Sequence, residues 1–261
     1  MRFEGLREIW HYRELLLFFA WRDLKVRYKQ AALGATWAII QPLVTMLTFT
    51  VFFGKLANIE SGPTPYPLFS FAALLLWTYF TFTLGHAGNS LIGNSNLITK
   101  VYFPRILLPA AATLGGVFDI AVGGIFLAGM MIFYGVNPGL TALFSLVFVV
   151  QLIVLLVGSS MILAALNVRY RDVKYVIPFI VQIGLFVTPI IYPTTFIPER
   201  YRPLLALNPM TGIIDGFRAS LFPEQHFDWS LIGTSFLMTA LILLAGIWLF
   251  RSAEREFADV I

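Results

Sequence analysis

Three long stretches of the sequence contain no charged side chain. Residues 61–99, 120–168 and 229–250 lack Asp, Glu, Lys and Arg altogether. As a helix, even the shortest stretch is roughly 33 Å long, which is enough to cross a hydrocarbon core of about 30 Å. A water-soluble helix needs apolar side chains on one face only. Soluble domains have about 25% charged residues, whereas this chain has 12%. We therefore expect an integral membrane protein.

Six transmembrane helices are predicted, with Pro and Gly marking the connections between them. They cover residues 32–54, 67–86, 106–134, 140–166, 176–191 and 229–250. Six crossings place both termini on one side. That side carries 14 of the 18 Lys and Arg, because only Lys55, Arg200, Arg202 and Arg218 fall on the other. Positive charge accumulates on the cytoplasmic side, so the chain is predicted to be an all-α, multi-pass protein with both termini in the cytoplasm.

The N-terminal segment, residues 1–31, is not predicted to cross the membrane. The segment carries a set of residues that recur at helical spacing and are interspersed with charged side chains. The set is Leu6, Ile9, Trp10, Arg13, Leu16 and Leu17. This pattern predicts an amphipathic helix in the cytoplasmic interface. It serves either as a basic flank that sets the topology or as a collar that meets a cytoplasmic partner. A six-helix domain, residues 32–250, and a cytoplasmic tail, residues 251–261, complete the predicted organisation.

The sequence offers no catalytic or metal-binding constellation. It has no Cys, and its three His residues, His11, His86 and His226, lie far apart without metal-ligand spacing. The pair Gly54-Lys55 lacks the flanking residues of a phosphate-binding loop. We therefore expect no catalytic residue, metal or cofactor in this chain, and any ATP must be bound by another chain. The net charge of +4 follows the membrane topology and does not indicate a nucleic-acid partner.

Two predicted spans each carry a stripe of aromatic and uncharged polar side chains. On the first span the stripe comprises Trp37, Gln41, Thr45, Thr48 and Phe52, and on the fifth Tyr175, Phe179, Gln182 and Phe186. Steps of three and four residues keep each set on one helical face. Aromatic faces and hydrogen-bonding groups suit weak, repeated contacts with sugars, as in a transport pathway. The alternative is that these polar groups form hydrogen bonds between packed helices.

Asp119 lies near the middle of the third predicted span, where an ionisable group costs at least about 2.5 kcal/mol. Gly115 and Gly123 lie four residues before and after it, so all three share a face suited to close helix packing. We favour a structural role for Asp119, hydrogen-bonded to a neighbouring helix. The alternative is the proton-binding role that a proton-coupled carrier would give it.

The connection between the fifth and sixth spans, residues 193–228, is too long for a hairpin loop and too apolar for a free one. Asn208-Pro209 predicts the start of a helix, with Asn as the N-cap and Pro in the first turn. One apolar face of that helix is predicted, with Asp215 and Arg218 outside it. This face comprises Ile213, Ile214, Phe217 and Leu221.

A series of segments resembles the permeases of polysaccharide ATP-binding-cassette exporters, the type-2 exporters of O-antigen, capsule and teichoic acid. The series begins with RDLKVRYKQ and keeps the order expected for the family. It consists of residues 22–30, 33–34, 37, 41–42, 97–105, 166–173, 186–193 and 207–218. Many relatives carry Ser or Thr at the position of Ala31 and Ser at that of Thr188, and neither departure touches a function that we can name.

The resemblance implies a homodimer that carries two nucleotide-binding ATPase subunits, with their ATP and Mg, on its cytoplasmic face in the bacterial inner membrane. It implies a channel along the dimer axis, lined largely by the first and fifth spans. A coupling helix is implied in residues 87–105, where Asn94, Ser95 and Asn96 are available as caps. The alternative for this segment is a simple polar turn. The implied contacts with the ATPase are Asn96, Leu97, Lys100, Tyr102 and Phe103. Short re-entrant helices in residues 193–228 are implied to form an outer gate with Phe196, Tyr201 and Phe217. The alternative is that they form a static plug in the interface.

The expected function is therefore that of a permease subunit that translocates a lipid-linked polysaccharide, in contact with membrane lipids. One alternative is a type-2 exporter of drugs or small lipids, which a pathway of aromatics and amides mildly disfavours. A proton-coupled secondary carrier would show inverted repeats and several ionisable groups in the membrane. A membrane-bound enzyme would need a catalytic cluster, which the sequence lacks.

Overall fold

The computed structural model describes residues 11–29, 34–170 and 172–254. Within these ranges every regular element is helical, as predicted, and no strand occurs. The helices are α1 (Arg13–Lys29), α2 (Trp37–Phe49), α3 (Tyr66–Gly88), α4 (Ser95–Lys100), α5 (Leu107–Gly115), α6 (Val117–Phe133), α7 (Ser145–Arg169), α8 (Val173–Val187), α9 (Arg202–Ala206), α10 (Pro209–Leu221) and α11 (Trp229–Ala253). A π-helix, Thr50–Leu56, continues α2, and a 3₁₀ turn, Leu140–Phe144, precedes α7.

Five segments of the described chain are long and apolar enough to cross a membrane. They are Trp37–Leu56, Tyr66–Gly88, Leu107–Phe133, Leu140–Arg169 and Trp229–Ala253. The fifth predicted span, residues 176–191, is shorter than expected, because α8 has 15 residues and a length of roughly 22 Å. It ends where Pro189 disfavours a helical conformation for Thr188, whose backbone is extended. Five of the six predicted spans are therefore confirmed by length and composition.

Helix α3 lies at the centre of the bundle and contacts α2, α5, α6, α7, α8 and α10. Small residues on its neighbours let them approach closely. A Cβ atom added to Gly123 of α6 would lie 2.3 Å from Leu75 Cδ1, and one added to Gly184 of α8 would lie 2.9 Å from the Trp77 ring. The core of the protein is thus arranged around α3.

Helices α7 and α11 form the closest crossing between two membrane-spanning segments. A Cβ atom added to Gly246 of α11 would lie 2.4 Å from the carbonyl oxygen of Gly158 of α7. Helix α10 lies against both helices through two further glycines. Gly212 faces the backbone of α11 at Leu231, and Gly216 faces the ring of Phe148 on α7. The short helix of the last connection is therefore packed among the spans.

Helix α1 runs alongside α5 and the start of α6. Phe19 packs edge-to-face on Phe103, with 5.5 Å between the ring centroids, and Gly115 faces the backbone of Ala20. The predicted amphipathic segment lies partly outside the described residues, which exclude 1–10 and 30–33. Within α1, Leu16 is half-buried but Leu17 is exposed. The structure therefore does not gather these leucines on one buried face.

Candidate functional site

Both predicted stripes lie on the surface of the single chain. Trp37, Phe52, Tyr175, Phe179 and Phe186 each have at least half of their area exposed. The two glutamines and Thr48 are exposed as well, and Thr45 is half-buried. No described helix of the chain covers either stripe.

The hydroxyl groups of the first stripe are bonded within their own helix. Thr45 Oγ1 donates to the carbonyl of Gln41 at 3.0 Å, and Thr48 Oγ1 donates to that of Val44 at 2.9 Å. The side chains of Gln41 and Gln182 form no hydrogen bond with any described residue. Within the described chain, the stripes therefore do not supply hydrogen bonds between packed helices.

The two striped helices are attached to α3 by their opposite faces. On α2 that face contains Ala38, Pro42 and Met46, which are buried four residues apart. On α8 it contains Ile177, which is buried beside Gly88, and Gly184 beneath Trp77. Each helix thus has one apolar face against α3 and one aromatic and polar face directed away from it.

Asp119 connects α6 to α1. It is 6% exposed, and its carboxylate accepts hydrogen bonds from Arg27 and from the hydroxyl of Tyr28, both on α1. The guanidinium of Arg27 also lies 3.5 Å from the centre of the Phe82 ring on α3. Gly115 and Gly123 do not share one interface, because the first faces α1 and the second faces Leu75 of α3. Asp119 therefore links α6 to α1 through an ion pair with Arg27 and a hydrogen bond from Tyr28.

Arg218, which the sequence pattern places outside the apolar face of α10, is nevertheless buried, with 2% of its surface exposed. Its Nε donates to the Phe69 carbonyl at 3.0 Å, and its Nη1 and Nη2 donate to the carbonyls of Pro189 and Ile190 at 2.6 and 2.8 Å. Burial lowers the pKa of the Arg218 guanidinium to about 9, so the group stays charged at neutral pH. The guanidinium thus joins α10, α3 and the turn after α8.

Further contacts hold the turn after α8, residues 188–191. Asn208 caps α10 as predicted, since its side-chain oxygen accepts from the Met210 amide at 3.1 Å. Its Nδ2 donates to Thr188 Oγ1 at 2.9 Å, and the Tyr66 hydroxyl donates to the Ile191 carbonyl at 2.8 Å. The C-terminal end of α8 is therefore fixed by side chains from α3, α10 and the α10 N-cap.

The acidic residue of α10 is also largely enclosed. Burial raises the pKa of the Asp215 carboxyl above its ordinary value, and the hydrogen bond from Thr194 Oγ1, at 3.1 Å, partly opposes that rise. Thr194 begins the short turn that contains the proposed gate residue Phe196. Asp215 thus ties this turn to α10.

The three gate residues occupy different environments. Phe196 and Tyr201 lie on the 3₁₀ turns Thr194–Phe196 and Glu199–Tyr201 and are exposed. Phe217 is 5% exposed and packs in the core around α3. The helix that carries Phe217 is enclosed by α3, α7 and α11. Phe217 therefore does not line an outer opening in this structure.

The connection between the second and third spans contains a six-residue helix, α4. Asn94 precedes it but does not cap it, because its Nδ2 donates to the Ser90 carbonyl at 2.8 Å. Asn96, Lys100 and Tyr102 are exposed, Tyr102 by 86%, and Leu97 is half-buried. Phe103 is buried against Phe19 and has no surface to offer a partner.

The described part of the chain contains no group of three or more His, Cys, Asp or Glu that is arranged to hold a metal ion. The buried Asp119 and the partly buried Asp215 are each used in contacts within the protein. Among the described residues, the two stripes, α4 and a cleft beside α1 are surfaces available for binding.

Comparison with known proteins places these features in a family. The model of the ABC-2 type transporter family matches residues 14–222. The O-antigen export system permease protein RfbA of Myxococcus xanthus is 30% identical, over 98% of each chain. An RfbA of Klebsiella pneumoniae is 25% identical over 95% of each chain, and the polysialic acid transport protein KpsM of Escherichia coli is 22% identical over 90% of this chain and 91% of that protein. The chain therefore belongs to the ABC-2 type transporter family.

Proposed function

We propose that this chain is the membrane-spanning permease subunit of an ATP-driven exporter, which moves a lipid-linked polysaccharide from the cytoplasm across the inner membrane. The observation that carries the proposal is the likeness, over nearly the whole chain, to export permeases for O-antigen and to a polysialic acid transport protein. The arrangement of the stripes agrees with that substrate class. A glycan is long and rich in hydroxyl groups, so many weak contacts suit its passage.

A second copy of the chain completes the pathway in this proposal. Amide and hydroxyl groups facing lipid are unfavourable, and Gln41 and Gln182 have no partner among the described residues. Two copies with their α2 and α8 helices facing each other would enclose these glutamines around a hydrated channel. Weak contacts along such a channel let the glycan advance without being trapped.

The energy comes from a separate ATPase subunit that binds ATP and Mg. Lys100 and Tyr102, at the end of α4, are exposed on the side that the charge asymmetry assigns to the cytoplasm. They are the contacts proposed for that subunit, together with Asn96 and Leu97. Helix α8 and the turn that follows it complete a sixth crossing, which places both termini in the cytoplasm.

The proton-coupled alternative is disfavoured by the surroundings of Asp119. A proton carrier needs an acid that loses and regains its proton, whereas this carboxylate is paired with Arg27 and bonded to Tyr28. The alternative of a drug or small-lipid exporter predicts a pathway of apolar side chains. It does not account for glutamines on both stripes.

The test is reconstitution. Vesicles containing the chain and its ATPase partner should move lipid-linked glycan across the membrane when ATP is supplied, and a non-hydrolysable ATP analogue should abolish the transfer. The chain purified alone should not hydrolyse ATP, because its sequence contains no phosphate-binding loop. ATP hydrolysis by the isolated chain, or transport of drugs in preference to glycan, would contradict the proposal.

The topology can be tested in the same system, because the chain has no native cysteine. Cysteines introduced at Asn94 or Asp172 should react with impermeant maleimide from the cytoplasmic side only. Cysteines at Ser61 or Glu199 should react from the opposite side. All four positions are in connections outside the helical spans, and labelling of either pair from the wrong side would refute the proposed orientation.

A further inference from the structure

A cleft with charged and amide groups set in a largely apolar lining opens between α1 and the end of α3 that is proposed to be cytoplasmic. Its volume is about 810 Å³. One wall is formed by residues 22–24, 26 and 27 of α1, and the other by Gly85, His86 and Asn89 near the end of α3. Ala112 and Gly115 of α5 form the floor. Both walls pack on α5. The cleft is the space left between α1 and α3, which both contact α5.

The cleft is closed at the end near Arg27 and open along the rest of α3. At the closed end, the Arg27 guanidinium reaches from α1 to the Phe82 ring of α3. Farther along, Gly85 and Gly93 line the space, and no described atom lies within 4 Å of a Cβ added to either. His86 and Asn89 are exposed beside them. The absence of side chains at both glycines keeps this part of the cleft wide.

The charges of the cleft are balanced. Arg22 donates from Nε and Nη2 to Asp23 at 3.0 and 2.8 Å, and Arg27 is paired with Asp119. A guanidinium has five N–H donors, so each arginine retains donors beyond those used by its carboxylate. Asp23 and Asn94 add acceptor oxygens. The lining therefore offers both donors and acceptors without excess positive charge.

A lining with both donors and acceptors but no excess positive charge favours one class of ligand over others. An anion such as a phosphate would have to compete with carboxylates that already neutralise both arginines. An acyl chain would leave the exposed polar groups without partners, which is unfavourable. A sugar has hydroxyl groups that both donate and accept, and the cleft is large enough for one or two sugar rings. The position beside α1, away from the stripes of α2 and α8, makes it a separate site.

We propose that the cleft between α1 and α3 binds the sugars of the glycan nearest its lipid, at the cytoplasmic face, before the glycan reaches the channel. The inference rests on the proposed function, because it takes the substrate to be a glycan. It adds a recognition site in which Arg22, Arg27 and Asn94 contact the sugar hydroxyls.

The first experiment fills the cleft. Gly85→Leu places a side chain in open space and replaces a residue of low helix propensity with one of high propensity, so the helix should remain intact. Gly124→Leu on α6 is the matched control, since no described atom lies within 4 Å of its added Cβ either. In vesicles with the ATPase partner, Gly85→Leu should lower glycan export by about tenfold, equivalent to about 1.4 kcal/mol of lost binding. Gly124→Leu should export at the normal rate, and normal export by Gly85→Leu would overturn the inference.

The second experiment detects occupancy directly. Gly93→Cys introduces a single thiol at the mouth of the cleft, and Thr99→Cys places one on the exposed side of α4. Lipid-linked glycan, extracted from cells that carry the transporter, should slow maleimide labelling of Gly93→Cys but not of Thr99→Cys. Polyprenyl phosphate, which lacks the sugars, should slow neither.

Each outcome decides a different point. Equal slowing of Gly93→Cys by polyprenyl phosphate would assign the cleft to the lipid headgroup and overturn the inference. Export of glycan by the wild-type complex, with no slowing of Gly93→Cys by the lipid-linked glycan, would also overturn it while leaving the proposed function intact. Failure of the wild-type complex to export glycan would overturn the proposed function itself.

Discussion

Helix α3 and the helix formed by α2 with its π-helical continuation have equal mean hydropathy but opposite surroundings. In α3, 72% of the apolar segment is buried inside the protein, and in Trp37–Leu56 only 17% is. Ser70 and Tyr79 in α3 are buried and bonded to carbonyls, and His86 near the end of the helix is exposed. The polar side chains of α2 lie on the exposed stripe. Mean hydropathy thus identifies a helix that crosses the membrane, and the distribution of its polar groups identifies the face that lacks a partner in the same chain.

Helix α8 extends the comparison, because it is also attached to α3 by one face and exposed on the other. It differs from α2 in its C-terminal end, where the following turn is held by Arg218, Asn208 and Tyr66. The two striped helices therefore share a central support but are secured differently. This contrast suggests substitutions that should affect stability alone, export alone or neither.

The largest expected effect concerns the attachment of α8 to α3. Arg218→Met removes three hydrogen bonds from a charged donor to buried carbonyls, and such bonds contribute about 1.5–3 kcal/mol each. We expect roughly 5 kcal/mol of lost stability, measured as a lower thermal midpoint of the purified protein. Arg200→Met changes an exposed arginine of the same connection and should cost less than about 0.5 kcal/mol. Equal midpoints for the two variants would show that Arg218 does not secure α8.

The second prediction compares α3 with α8 directly. Trp77 is buried in the core, so Trp77→Ala should cost about 3–5 kcal/mol. Phe179 is exposed on its stripe, so Phe179→Ala should change the stability by less than about 0.5 kcal/mol and should still lower export. Thermal stability and export should be measured on the same preparations. If Phe179→Ala loses stability in step with export, the stripe is a packing surface and not a channel lining.

The third prediction concerns the amides of the two stripes. Gln182→Ala removes one hydrogen-bonding group worth about 1 kcal/mol, so export should fall roughly fivefold while the thermal midpoint stays unchanged. Changing Gln41 to Ala as well should lower export further. Gln41→Lys should still assemble, because a hydrated lumen can solvate the ammonium group whereas lipid or a helix interface cannot. A failure of Gln41→Lys to reach the membrane as an assembled complex would contradict a water-filled pathway.

The smallest effect is expected at Thr48. Its hydroxyl is already bonded to the Val44 carbonyl of its own helix, so it has less capacity left for a passing sugar than a free amide has. Thr48→Val keeps the shape and should change stability by less than about 0.5 kcal/mol, with export close to normal. A loss of export as large as that of Gln182→Ala would mean that shape along the stripe matters more than free amides.

The sequence by itself determined the features that depend on local chemistry. In lipid, every backbone N–H and C=O must be satisfied within the structure, so a long charge-free stretch has to be helical. Five spans were predictable for this reason. The N-cap at Asn208 and the stop imposed on α8 by Pro189 are local as well. The spacing of the stripes placed each set on one face, and the exposure of both sets is the structural counterpart of that pattern.

Only the tertiary structure decided which residues are enclosed by distant parts of the chain. Arg218 is held by carbonyls that lie 149, 29 and 28 residues away, and no local pattern distinguishes it from a surface arginine. Phe103 and Phe217 were expected at functional surfaces, but Phe103 is covered by α1 and Phe217 by the core around α3. The cleft beside α1 also depends on the tertiary structure, because its shape is set by how α1 and α3 pack on α5. Whether a residue is buried depends on the residues that pack around it. Residues that are far apart in sequence become neighbours only when the chain folds.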